Sequence, residues 1–217
     1  MNLFFDIETI PAEKELKDTI VELERKKEAK KAESEDLVGD IKKQRSPENI
    51  YRATSLSGDF GRIFCIAYAV GDDSVDVLKG EEKGILTKFW EIANLTDCFV
   101  GHNIYNFDLP YIYKRSIIHK IKPANRHLNL SFARYRSNPI YDTMYEWEKW
   151  NPKATISLDK LAKVLGLPTS KDGGIDGSKV YDAYLEKRFD EICDYCKKDV
   201  ELTRKVYKRM NFEEFKL

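Results

Sequence analysis

The tightest constraint on this chain lies in an apolar run with two carboxylates set into it, Leu3-Phe4-Phe5-Asp6-Ile7-Glu8-Thr9. An aromatic-rich run of this kind reads as a buried strand. Side chains alternate across a strand, so Asp6 and Glu8 project from the same face. Two like charges on one buried face repel and are costly to desolvate, which leaves the pair without a structural purpose. A hard cation removes the difficulty.

Two further clusters, far along the chain, extend this pattern. In Asn103-Ile104-Tyr105-Asn106-Phe107-Asp108 the acid sits where an apolar strand at Cys98-Phe99-Val100 has run through a loop and a helix begins. Loops at strand ends are where sites form in open α/β sheets. In Tyr195-Cys196-Lys197-Lys198-Asp199 the phenol and the acid are four residues apart on a helix whose apolar positions recur at three- and four-residue steps. Residues at that spacing share a helix face. Four carboxylates and a phenol are the inventory needed to hold two Mg²⁺ or Mn²⁺ ions, which favour oxygen donors, against a scissile phosphodiester.

The ordered pattern D-x-E, N-x-x-x-F-D, Y-x-x-x-D resembles the DEDD superfamily of 3′-to-5′ exonucleases, in its tyrosine-bearing (DEDDy) subclass. Gly101 to Pro110 is similar to the second exonuclease motif of family B DNA polymerases. Leu56-Ser57 through Gly61-Arg62-Ile63, Ser157 to Ala162 and Asp176-Gly177-Ser178 resemble stand-alone relatives of that proofreading domain, so the likeness spans nearly the whole chain. The resemblance implies a ribonuclease-H-like mixed α/β sheet, three antiparallel strands then parallel ones, flanked by helices. It also implies that Asp6 bridges both ions, Glu8 and Asp199 complete the first, and Asp108 holds the second partly through water. Thr9, Asn103 and Phe107 then fall near the 3′ end of the substrate. Asn103 serves either the terminal nucleotide or its own loop, and Phe107 either wedges at the terminal base or packs beneath Asp108.

The order of elements agrees with that fold. Strands are expected near the start, at Ile63 to Val70, at Val75 to Leu78 after a turn at Gly71-Asp72-Asp73, at Cys98 to Val100, and ending at Tyr141-Asp142. Helices are expected near Glu82 to Ile92, Leu109 to His119 and Ser157 to Leu165, with two more across Val180 to Met210. A chain of 217 residues that is 42% hydrophobic can bury one sizeable core, so residues 1–217 are expected to form a single exonuclease domain. Within it, a highly charged, helical insertion is expected at about 12–48, carrying Leu16, Ile20 and Leu23 as a narrow apolar stripe.

Net charge is zero, so the whole molecule is no general magnet for nucleic acid. Its charge is nevertheless uneven: no acidic residue stands between Leu109 and Tyr141, where Lys114, Arg115, Lys120, Lys122, Arg126, Arg134 and Arg136 alternate with aromatic residues. Basic groups track phosphates and aromatic faces stack unpaired bases, so Arg134, Tyr135 and Arg136 are expected to meet a single strand. Within this stretch Tyr111 and Ile112 are expected to face the sheet.

No apolar stretch of about 18 residues and no basic-then-apolar leader is present, so neither a membrane partner nor a secretory signal is expected. Four cysteines without a disulfide framework suit a reducing cytoplasm, and Cys193-x-x-Cys196 reads as two small residues on a buried helix face rather than a zinc site. The combined expectation is a metal-dependent exonuclease that releases nucleoside 5′-monophosphates from the 3′ end of single-stranded DNA. An exoribonuclease or a structure-selective endonuclease on the same fold is the alternative, and a non-catalytic nucleic-acid-binding module is the remaining one. The chain carries no polymerase segment, so it is expected to edit in trans or to serve repair, recombination or nucleic-acid turnover, alongside replication or repair partners.

Overall fold

The acid-bearing run is the central strand of a five-stranded sheet. β1 (Asn2–Ile10), β2 (Arg62–Val70) and β3 (Asp76–Lys79) form an antiparallel unit. β4 (Cys98–Gly101) pairs parallel with β1, and β5 (Ile140–Asp142) pairs parallel with β4, giving the order β3-β2-β1-β4-β5. This computed structural model describes residues 1–34, 45–123, 135–151, 153–169 and 175–213, with only the backbone of 31–34.

The helices are α1 (Lys17–Ser34), α2 (Pro47–Arg52), α3 (Glu82–Ala93), α4 (Asp108–Ile118), α5 (Thr143–Glu148), α6 (Leu158–Val164), α7 (Val180–Leu185) and α8 (Phe189–Met210). Strand alternation divides the core. Leu3, Phe5 and Ile7 join Ile66 and Phe99 beneath Leu86 and Phe89 of α3 and Leu109, Tyr111 and Ile112 of α4. The other face packs Phe4, Cys65, Ala67, Ala69 and Val100 against Cys193, Cys196 and Val200 of α8. Apolar cover on both faces is what central parallel strands require.

Small residues on β2 let α8 come close. In the ladder Phe4 stands opposite Ala69, Asp6 opposite Ala67 and Glu8 opposite Cys65. The register then slips by one residue between Glu8 and Thr9. Such a bulge re-aims the side chains beyond it.

Three buried or half-buried polar side chains clamp α4 to this frame. Glu82 accepts two hydrogen bonds from Arg115, at 2.9 and 2.7 Å, and one from the Ile63 N–H at 2.7 Å, with His119 Nε2 also 2.7 Å away. Arg115 is therefore a core residue, and Lys114 pairs with Asp59 at 2.8 Å, so two of the cations expected to track phosphate are engaged within the protein. Charge counting along a sequence misses such internal partners.

Part of the charged segment forms α1, and its apolar stripe is narrower than expected. Only Ile20 is buried, against Ala12, Ile50 and Tyr51, whereas Leu16 and Leu23 are exposed. Glu22 and Lys26 pair at 2.5 Å along its surface, and residues 35–44 of the expected insertion lie outside the described residues. Helices α2 and α5 were not anticipated, because six residues are too few to display a period, although Ser46 caps α2 at the Asn49 N–H. Among the described residues no helix is long and apolar enough to cross a membrane.

Burial alone would push the Glu82 carboxyl up, but its hydrogen bonds to Arg115, Ile63 and His119 hold it below the ordinary value. Its contribution to stability is therefore full above the unfolded pKa, about 4.3, and is lost as pH falls through the lower folded value. Glu82→Gln should reduce the unfolding free energy at neutral pH by about 3–5 kcal/mol, because Arg115 is left buried without its counter-charge. In urea titrations the gap between variant and parent should narrow below about pH 4.3; a parent-like midpoint at pH 7 would contradict this role.

Candidate active site

The strand geometry brings Asp6 and Glu8 onto the face that α8 covers. Glu8 is buried at 8% exposure, and no hydrogen bond or ion pair to its carboxylate is found among the described residues. Asp6 keeps partial solvent access. Across from them, α8 buries Ile192, Cys193, Cys196, Val200 and Thr203 and leaves Tyr195 and Asp199 half-buried on the adjoining stripe. The four-residue spacing turns both toward β1: Tyr195 feels the charges of Asp199, Glu8 and Asp6.

Asp108 arrives from the other direction. It is the first residue of α4, 3% exposed, and its Oδ1 accepts the Ile7 N–H at 3.1 Å. That bond ties the helix start directly to the backbone between Asp6 and Glu8. A carboxylate also suits the partial positive charge of a helix N-terminus.

The electrostatics follow from this crowding. Burial, then the charges of Asp108, Glu8 and Asp199, push the Asp6 carboxyl well above its ordinary range, with a hydrogen bond from Cys196 pulling the other way. Burial, then Asp199 and Asp108, do the same to Glu8. Burial pushes Asp108 up to about 8 despite backbone hydrogen bonds, among them the Ile7 N–H. Burial and the Asp199 and Glu8 charges raise the Tyr195 phenol, which therefore stays protonated as a donor.

Among the described residues no Lys, Arg or His pairs with Asp6, Glu8 or Asp108. Ligand atoms of Asp6, Glu8 and Cys196 lie within 4.8 Å of one another. Hard oxygen donors that are crowded, desolvated and short of cationic partners fit a divalent metal.

Cys196 is the floor of this site, which the sequence reading did not anticipate. Its thiol is fully buried and lies 3.4 Å from the Asp6 carbonyl and 3.5 Å from Asp6 Oδ2. Both cysteines of the C-x-x-C pair are buried and free, as expected of small residues beneath a helix. Glu191 and Asp194 of the same helix are exposed.

Asp142 is the second residue whose role the structure supplies. At 1% exposure it accepts N–H groups from Asn103 and Met144 on Oδ1, at 2.9 and 3.0 Å, from Tyr145 at 3.4 Å, and from Tyr105 on Oδ2 at 2.9 Å. It thus caps α5 and at the same time shapes the loop that leads into Asp108. Gly101 opens that loop because a Cβ there would lie 2.1 Å from Ile104 and 3.1 Å from the Phe5 carbonyl. His102 is locked between Thr143 Oγ1 at 2.9 Å and the Ile156 carbonyl at 2.8 Å, and burial lowers its pKa to about 4. Its ring is neutral and structural.

Asn103 adopts a left-handed backbone at φ 61°, a conformation asparagine tolerates, and its carbonyl accepts the Phe107 N–H at 3.1 Å. Phe107 packs on the core, its ring 5.6 Å from Tyr111. Thr9 donates its hydroxyl to the Ser55 carbonyl at 2.8 Å. Tyr135 is 67% exposed with its ring 5.2 Å from that of Trp150 and tilted 55° to it, and Arg136 is exposed. Arg134 lies outside the described residues.

Residues 60–217 match a family described as "Predicted 3'-5' exonuclease related to the exonuclease domain of PolB". The chain belongs to this family. The matched range includes Asp108, Tyr195 and Asp199, while Asp6 and Glu8 precede it. Among solved structures, the chain is similar to the family B DNA polymerase from the hyperthermophilic archaeon Pyrobaculum calidifontis, with a TM-score of 0.62 and 18% identity over 97% of this chain. The likeness covers 24% of the polymerase chain, so this protein spans about a quarter of it. It carries the fold: a ribonuclease-H-like α/β sheet with flanking helices. Comparison with curated proteins gave no match.

Asp142→Ala would leave four backbone N–H groups without this acceptor. In hydrogen-exchange measurements the amides of Asn103, Tyr105, Met144 and Tyr145 should exchange faster by about 10- to 100-fold, as about 1–3 kcal/mol of local stability is lost. Unchanged protection at those amides would remove Asp142 as the organiser of the loop.

Proposed function

We propose that the protein is a divalent-cation-dependent 3′–5′ exonuclease that releases nucleoside 5′-monophosphates from single-stranded DNA. One observation carries the reading: β1, the start of α4 and one stripe of α8 bring Asp6, Glu8, Asp108, Asp199 and Tyr195 together in a site whose crowded carboxylates raise one another's pKa. Membership of the exonuclease family supports the reaction class. The DNA preference rests on likeness to a polymerase fold.

In this reading Asp6, Glu8, Asp108 and Asp199 hold two Mg²⁺ or Mn²⁺ ions. Such ions lower the pKa of bound water and stabilise the charge that builds on attacking and leaving oxygens. The protein's own groups do the positioning. The Asp108 anchor at the Ile7 N–H fixes the separation of the α4 and β1 carboxylates. Tyr195, kept protonated beside Asp199 and Glu8, orients the attacking water by a hydrogen bond; a phenol this reluctant to ionise is a poor base.

The Asn103 side chain makes no hydrogen bond to a described residue, which suits a role toward the terminal nucleotide. Thr9 has spent its donor on Ser55 and is assigned a contact through its remaining lone pairs or its backbone. Phe107, half-buried on the core, supports the Asp108 turn and offers an edge to the last base. Residues 1–217 act as one catalytic unit in this account, because the first strand supplies two of the four acids and α4 and the last helix one each.

Incubation of 5′-labelled single-stranded DNA and RNA with Mn²⁺ or Mg²⁺ tests the proposal. A ladder descending from the 3′ end of DNA, abolished by a chelator and absent with a circular strand, is expected. Asp6→Ala should lower the rate by about 10³-fold or more, and Tyr195→Phe by about 10- to 100-fold with Mn²⁺ affinity retained. Highly purified Asp6→Ala that trims at the parent rate would remove the catalytic assignment.

A further inference from the structure

Around the loop that leads into Asp108 stands a group of aromatic rings that the core only partly absorbs. Tyr145 and Trp150 stack at 4.8 Å with planes 21° apart. Tyr105 meets both edge-on, at 5.9 and 5.6 Å, and Tyr135 approaches Trp150 at 5.2 Å. Tyr105 and Tyr145 are rooted on buried clusters, whereas Tyr135 is 67% exposed and Trp150 is half-buried. The outer rings are presented to solvent on a fixed base.

The backbone holds them there at a cost. Tyr135, Lys149 and Trp150 all have positive φ, at 63°, 51° and 60°. Bulky residues seldom adopt that conformation, and strain of this kind is concentrated where structure serves a ligand.

The rings are also fastened to the catalytic loop. The Tyr105 N–H and the Asn103 N–H share the Asp142 carboxylate, and the Asn106 side-chain amide donates to the Tyr145 hydroxyl. Tyr105 lies three residues before Asp108. Exposed cations flank the outer rings: Arg136 follows Tyr135 and Lys149 precedes Trp150.

We infer that Tyr135 and Trp150, backed by Tyr105 and Tyr145, form a stacking platform for unpaired bases of the substrate strand a few nucleotides inward from its 3′ end. The inference rests on the proposed action on a single strand and adds the source of its selectivity. Ring faces beside cations take successive bases irrespective of sequence, while paired bases of a duplex offer no free face. Continuity with the Asp108 loop aligns the platform with the acids and favours a strand over any other occupant.

The test is equilibrium binding of a fluorescent oligothymidylate to the full chain, with Ca²⁺ replacing the catalytic ion so that the strand stays intact. Trp150→Ala and Tyr135→Ala should each weaken binding by about tenfold. A strand with abasic positions in the inner nucleotides should bind the parent about tenfold more weakly too, yet lose little further affinity with Trp150→Ala. Trp150→Phe, which keeps a ring, should recover most of the binding.

Equal affinity of parent and Trp150→Ala, or full additivity of the protein and abasic losses, would overturn the platform. Additivity would mean that the ring serves the fold or another ligand. The two readings fail separately. Coupled losses without any strand hydrolysis would sink the exonuclease and leave the platform, while 3′ trimming without coupling would do the reverse.

Discussion

The structure depends on mutual repulsion held in place by packing. Asp6 and Glu8 are forced onto one face of β1 by strand alternation, and α8 is pressed over that face because their cross-strand neighbours, Ala67 and Cys65, are small. That packing carries Asp199 and Tyr195 toward the strand acids, and the Asp108–Ile7 hydrogen bond adds a fourth carboxylate from α4. Desolvation and like charge raise the pKa of each strand acid, so apolar packing sustains an arrangement that electrostatics alone would disperse. A divalent cation is the group that would relieve it.

Other buried acids in the same chain show what a structural carboxylate looks like. Glu82 is met by Arg115, the Ile63 N–H and His119, and its pKa falls below the ordinary value. Asp142 accepts four backbone N–H groups and thereby joins the Asn103–Phe107 loop to α5. Burial pushes the pKa of Asp142 up, yet its oxygens are filled by protein donors. Glu8, equally enclosed, has no such donors among the described residues. Satisfaction within the protein, rather than burial or charge, separates Glu82 and Asp142, which build the fold, from Glu8, which we propose as a metal ligand.

How much of this was legible in the sequence follows from the range of each interaction. The shared face of Asp6 and Glu8 and the i,i+4 pairing of Tyr195 with Asp199 are consequences of strand and helix periods, so a linear reading captures them, whereas the mixed sheet came from the family resemblance. The loop-organising role of Asp142 and the place of Cys196 escaped because the partners that define them, Asn103 and Tyr105 for Asp142 and Asp6 for Cys196, lie 37 or more residues away and are backbone groups or a carboxylate oxygen that no spacing rule reveals. Arg115 was misjudged for the same reason: its partner Glu82 is 33 residues distant, and a basic run looks solvated until the core is assembled. Of the aromatic group only Tyr135 was signalled in the sequence, by its place between Arg134 and Arg136; Tyr105, Tyr145 and Trp150 join it only through the fold, two of the four rings standing on positive-φ backbone.

The central proposal is that the crowded carboxylates of β1, α4 and α8 together hold two divalent ions. Anomalous diffraction from crystals soaked in Mn²⁺ tests it most directly. The account predicts two manganese peaks about 3.5–4 Å apart, coordinated by Asp6, Glu8, Asp108 and Asp199 and lost in Asp6→Asn crystals. Full soaking at neutral pH with no peak at these four residues, or with manganese bound only elsewhere on the surface, would contradict it.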